Sequence, residues 1–253
     1  MSWLEPHPDV RVIAHRGSSH DAPENTLAAF ALARQDGADG VELDVMRCKS
    51  GEVIVFHDDD LARLCGTPGD PRARSLAELR ELSVQGEAIP ELHEVIEVLG
   101  ASMLLNVELK TAPDWRGRVE NDGLGDEVAR IVEHHGLGER VLVSSFDPML
   151  LGRFRRTAPR VLTGMLFAAD QSAPLRRGWG AQLLRTHAVH PEAVLVDEEH
   201  VRSWHRRGLL VNVWTVDDPA EQRYLATIGA DGIITNRPRE TRVMLRAAMR
   251  AAS

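Results

Sequence analysis

Glu42 and Asp44 stand two residues apart in the run VELDV, and Asn106, Glu108 and Lys110 repeat that spacing in NVELK. Both runs are short and apolar apart from these residues, so each reads as a strand, in which residues two apart share a face. Three carboxylates gathered without compensation repel one another and are costly to desolvate. A divalent cation removes that difficulty. An all-oxygen ligand set with positions left for water and substrate suits Mg²⁺ or Ca²⁺, with Mn²⁺ as a further candidate, better than zinc. The plainer alternative is that these acids are solvated strand ends or arginine partners. It weakens because all three fall at the ends of neighbouring strands, where the active sites of α/β barrels lie.

His15 directly follows the first apolar run and His57 follows Val53–Phe56, each beside charged residues: Arg16 in one case, Asp58-Asp59-Asp60 in the other. Imidazole titrates near neutral pH, so two histidines beside an acid cluster suit acid/base catalysis. Packed or surface histidines are the alternative. Arg16 and Lys110 supply a fork and a point charge for an anionic substrate. Lys49 and Lys110 are the only lysines of the chain, which singles out the second. Trp214 lies just past an apolar run and is either core filler or a pocket wall, with its position favouring the wall.

These side chains need a scaffold that brings strand ends together. Short β-branched runs alternate with longer amphipathic stretches, the pattern of a parallel sheet with helical crossovers. Strands are expected at Val10–Ala14, Gly40–Val45, Leu104–Leu109, Val141–Ser145, Val161–Met165, Ala188–His190, Leu209–Trp214 and Gly232–Thr235, and helices at Thr26–Asp36, Gly125–His135, Pro148–Thr157, Ala173–Arg185, Glu198–Arg207, Pro219–Ile228 and Arg239–Ala251. Several of these helices run into Gly37, Gly136, Gly208 or Gly229, where a left-handed cap is easily adopted. Eight strands predict a (β/α)₈ TIM barrel, a fold that a chain of 253 residues fills as one domain. Residues 58–103 form an elaborated βα connection after strand two, with helical patterns at Leu76–Leu82 and Leu92–Leu99, placed to cap one side of the site.

Composition excludes several functions. A net charge of −8 argues against a surface that follows nucleic acid. No apolar run reaches the roughly 18 residues of a membrane span, and the first residues lack a signal-peptide pattern, so no stable membrane association and a cytoplasmic location are expected. Cys48 and Cys65 sit in no metal-binding spacing and read as incidental thiols. His134, His135, His200 and His205 and the arginine-rich stretches at 153–156 and 202–207 read as surface, whereas His190 at the end of strand six is left open as a substrate contact. Oligomeric state is open as well.

The motifs HRG at His15–Gly17, PENT at Pro23–Thr26, VELDV at Val41–Val45, VFHDDDL at Val55–Leu61, NVELK at Asn106–Lys110, SSF at Ser144–Phe146, VWTVDDP at Val213–Pro219 and GADGIITNRP at Gly229–Pro238 span nearly the whole chain. In this order and spacing the chain resembles the glycerophosphodiester phosphodiesterase family. That resemblance implies a TIM-barrel hydrolase that splits small-molecule glycerophosphodiesters into glycerol 3-phosphate and an alcohol. It implies Glu42, Asp44 and Glu108 as metal ligands, His15 and His57 as the acid/base pair, Arg16 and Lys110 on the phosphate, and Trp214 against the glycerol or alcohol. Ile89-Pro90-Glu91-Leu92 and Leu61–Gly69 depart from the family's usual pattern and bear on leaving-group preference. A membrane-active phospholipase would need an apolar loop, a non-catalytic phosphate binder would lack one of these side chains, and a sugar-isomerase-like barrel would not explain HRG or His57.

Overall fold

The computed structural model describes residues 1–111, 123–176 and 178–252. The strands are β1 (Arg11–His15), β2 (Gly40–Arg47), β3 (Val53–Val55), β4 (Leu104–Leu109), β5 (Val141–Ser145), β6 (Leu162–Phe167), β7 (Ala188–Pro191), β8 (Leu210–Val213) and β9 (Gly232–Thr235). Their order is β1-β9-β8-β7-β6-β5-β4-β2-β3, and a further β1–β2 pairing closes eight parallel strands into a barrel. β3 stands outside the ring, antiparallel to β2. β7, the sixth strand expected from the sequence, ends on Pro191, which lacks an N–H but accepts a hydrogen bond from the Trp214 backbone.

Helices fill the crossovers because their starts are capped and one face is apolar. Thr26, Asp147, Asp197 and Asp218 each accept backbone N–H groups at the starts of Leu27–Gln35, Pro148–Thr157, Glu198–His205 and Pro219–Thr227. The expected helix Ala173–Arg185 is instead two, Ala173–Arg176 and Trp179–Leu184. Gly178 breaks it: its φ of 69° is left-handed, and a side chain there would crowd the Phe167 ring. Among the described residues no helix is long and apolar enough to cross a membrane.

Alternation along the strands divides the core in two. Val12, Val41, Leu43, Val107, Val143 and Val211 face outward to the helices, whereas Ile13, Leu104, Leu142, Leu162, Ala188 and Ile234 fill the barrel floor around Trp3. Trp3 is fully buried, and its indole N–H donates to the carbonyls of Leu105 and Arg140. The first residues therefore plug the barrel's N-terminal end. Trp3→Ala should cost about 3–5 kcal/mol, the usual loss for a buried aromatic, read as a lower denaturant midpoint with an unchanged slope. The connection after β2 has its own small core, in which Leu61, Leu64, Leu79, Val84 and Ile89 pack on Met46, Ile54 and Phe56. The expected helical patterns appear there as Leu76–Arg80 and Leu92–Leu99.

Candidate active site

The C-terminal ends of the strands bring the sequence candidates together. His15 ends β1, Glu42 and Asp44 lie on β2, and Glu108 lies on β4 directly across from Asp44. One pocket, with room for about 60 Å³, is lined by His15, Arg16, Glu42, His57, Glu108 and Lys110 on its polar side. Phe146, Leu166, Ile234 and Trp214 line its apolar side. Trp214 is thus a wall, packed edge-on against Phe146 at 5.4 Å between ring centroids. Hollows of about 700 Å³ near Trp3 and about 720 Å³ near Trp179 are larger. Both are lined by charged side chains, but neither holds a converging set of three buried carboxylates or a pair of histidines, so chemistry outweighs size in choosing the site.

Glu42, Asp44 and Glu108 are buried, and each offers an oxygen within 4.8 Å of the others, the one such convergence among the described residues. Sequence reasoning offered arginine pairing of these acids only as the plainer alternative and placed Arg16 and Lys110 on the substrate. The structure supplies two cations: Lys110 Nζ lies 3.0 Å from Glu108 and 3.5 Å from Asp44, and Arg16 Nε lies 3.2 Å from Asp44. Burial disfavours the Asp44 carboxylate, but Lys110 and Arg16 outweigh it and hold its pKa below the usual range. Burial, then the neighbouring Asp44 and Glu108, pushes Glu42 well above that range, and burial raises Glu108. Three acids against two cations leave negative charge uncompensated. That excess, in an all-oxygen donor set, fits a hard divalent cation, and Asn25 holds Asp44 in place through a hydrogen bond of 2.9 Å.

The two histidines are held differently. Asn236 donates to Asp217 through Nδ2, which fixes its Oδ1 toward His15 Nδ1 at 2.7 Å. His15 therefore carries its proton on Nδ1 and presents the Nε2 lone pair. Burial, reinforced by Arg16, lowers its pKa to about 4. His57 Nδ1 instead faces Asp58 Oδ1 at 2.7 Å. Arg63 grips Asp58 and Glu24, and its hydrogen bond to Asp58 is the main reason that carboxyl falls to about 2. Arg63 comes from the connection after β2, so that segment supports the histidine as well as flanking the pocket. Arg16 sits at φ 54° and Gly17 at φ 83°; a side chain at Gly17 would strike the Ala29 backbone at 2.6 Å. The HRG turn is thus a strained backbone that aims Arg16 inward.

Asn236, Asn25 and Arg63 were not singled out from the sequence, and Asp58 was named only within the acidic run after His57, although they lie in or beside TNRP, PENT, Leu61–Gly69 and HDDD. His190 is fully buried below the pocket, so it is not a wall of the cavity that receives substrate. His200 and His205 are exposed, as expected.

Fold and site define a TIM barrel with an acidic, histidine-bearing pocket at the ends of its strands. Residues 15–240 match the Glycerophosphoryl diester phosphodiesterase family, and the chain belongs to that family. It is 34% identical over 237 residues to a glycerophosphodiester phosphodiesterase of Caldanaerobacter subterraneus subsp. tengcongensis, covering 90% of this chain and 94% of that one. A putative glycerophosphoryl diester phosphodiesterase from Silicibacter pomeroyi superposes with a TM-score of 0.88 at 28% identity, over 97% of this chain and 96% of that one. An Oleispira antarctica phosphodiesterase, solved with the product sn-glycerol-3-phosphate, superposes at 0.83 with 32% identity, over 94% and 97% of the two chains.

Proposed function

We propose that this chain hydrolyses glycerophosphodiesters to glycerol 3-phosphate and an alcohol, with His15 and His57 as the acid/base pair and Mg²⁺ or Ca²⁺ held by Glu42, Asp44 and Glu108. The observation that carries the reading is the meeting, in one pocket, of the acid cluster with two histidines whose Nδ1 atoms are engaged by Asn236 and Asp58. The relative solved with glycerol 3-phosphate supports the substrate class.

A phosphodiester anion repels nucleophiles, so its non-bridging oxygens must be neutralised. Arg16 and Lys110 reach into the pocket for that purpose, and the cation would supply further charge stabilisation when bound. His15, backed by a neutral amide, takes the proton of the glycerol 2-hydroxyl as that oxygen attacks phosphorus. His57, backed by Asp58, gives its proton to the departing alkoxide. The product of this step is a cyclic phosphate. Water then opens the ring with the roles exchanged: His57 takes a proton from water and His15 returns its proton to the 2-oxygen. Phe146 and Trp214 give the carbon skeleton of the substrate an apolar wall.

A diester lacking the 2-hydroxyl is expected to bind but to be cleaved about 10³-fold more slowly or worse, because the internal nucleophile is gone. Competition and turnover measured on the same analogue separate the two effects. Cleavage of the analogue at the parent rate would remove the cyclic step.

A further inference from the structure

Below the acids, the barrel interior holds a polar layer that the scheme above leaves unused. His190 of β7 is fully buried between Asn106 of β4 and Asn212 of β8. Asn106 Nδ2 lies 3.4 Å from its Nδ1, and Asn212 Nδ2 lies 3.2 Å from its Nε2. The strands are shaped to admit the ring: a side chain on Gly164 of β6 would come within 2.7 Å of His190 Nε2 and 2.9 Å of Leu142. The ring has no carboxylate partner among the described residues, and burial drops its pKa to about 3, so it is neutral.

A neutral imidazole has one N–H and one lone pair, so it cannot accept from both amides. Both amide oxygens, Asn106 Oδ1 and Asn212 Oδ1, are meanwhile buried without a partner, a costly arrangement. A half-turn of one amide resolves the first problem and gives that amide's oxygen a partner, since oxygen and nitrogen simply exchange places, while the other amide's oxygen stays where it is. The surroundings decide which amide turns. Asn212 Oδ1 lies 2.4 Å from where a Cβ on Gly232 would stand, so it rests against that glycine's Cα–H. An oxygen there gains a weak C–H contact, whereas an NH₂ would be a buried donor without an acceptor. Asn212 therefore keeps donating to His190 Nε2. The proton then sits on Nδ1, and Asn106 must turn its oxygen to receive it.

That turn points the Asn106 NH₂ away from His190, and Asn106 lines the catalytic pocket, next to Glu42 across the strand pair. We propose that Asn106 is a substrate-binding residue that donates an N–H to a phosphoryl oxygen, and that His190 is the positioning residue that holds it in that orientation. The substrate contact rests on the hydrolase reading given above; the orientation of the layer does not.

Two measurements test the proposal. Nitrogen-15 NMR of the unliganded protein should show His190 as the neutral Nδ1–H tautomer across neutral pH. An Nε2–H tautomer or a protonated ring would overturn the orientation, whatever the enzyme hydrolyses. Kinetics then test the contact: Asn106→Ala and His190→Leu should each lower kcat/KM about 10- to 100-fold, the range for a hydrogen bond to a charged oxygen. The double variant should be no worse than Asn106→Ala alone, because one residue acts through the other. Additive losses would overturn the positioning role. A drop in Ca²⁺ affinity with unchanged kinetics at saturating metal would move the Asn106 amide to the carboxylates and overturn the substrate contact. If His190→Leu does not fold, the tautomer and the Asn106→Ala kinetics still decide.

Discussion

His57→Ala and His15→Ala are each expected to lower kcat by about 10²–10⁴-fold, the range for loss of a general acid or base. Neither ring belongs to the acid cluster, so cation affinity should be unchanged in both variants. The double variant should fall little below the worse single one, because each step needs a donor and an acceptor together. His57 depends on Asp58 and Arg63, whereas His15 depends on Asn236 and Asp217. A His57→Ala enzyme turning over at a near-normal rate would remove the pair from the mechanism.

Removing the cation is expected to abolish turnover, and restoring Mg²⁺, Ca²⁺ or Mn²⁺ should recover it. The physical reason is the excess of three buried acids over Arg16 and Lys110; burial, then the neighbouring Asp44 and Glu108, holds Glu42 well above its usual pKa. Glu42→Gln or Glu108→Gln should weaken calorimetrically measured affinity by about 10- to 100-fold or more. A cation that binds only the folded chain also raises its stability, by about 2.7 kcal/mol at a hundred times Kd. Melting with and without metal therefore gives a second reading independent of activity. Undiminished turnover after exhaustive chelation would contradict the metal's role.

Strands were the most legible part of the fold because period-two alternation survives in the sequence itself. Glu42 with Asp44, and Asn106 with Glu108, could be placed on one face from spacing alone, and the barrel set the two pairs side by side. The supports of the histidines were not legible in that way. Asn236 lies 221 residues from His15, and only closure of β1 against β9 brings them within 2.7 Å. The N-terminal plug was missed because Trp3 lies in a segment without periodicity, so nothing local marks it as core. The break at Gly178 was missed for a related reason: an apolar helical pattern runs across it, and the crowding that requires glycine comes from Phe167 of the preceding strand. Lys110 and Arg16 were read as phosphate ligands, and their pairing with the acids needed three-dimensional distances.

Phosphorus-31 NMR of glycerophosphocholine incubated with the protein tests the central claim most directly. With Mg²⁺ or Ca²⁺ present, the diester signal should give way to glycerol 3-phosphate while choline is released, and after chelation it should persist. Release of phosphocholine and glycerol instead, or conversion unaffected by chelation, would contradict the account.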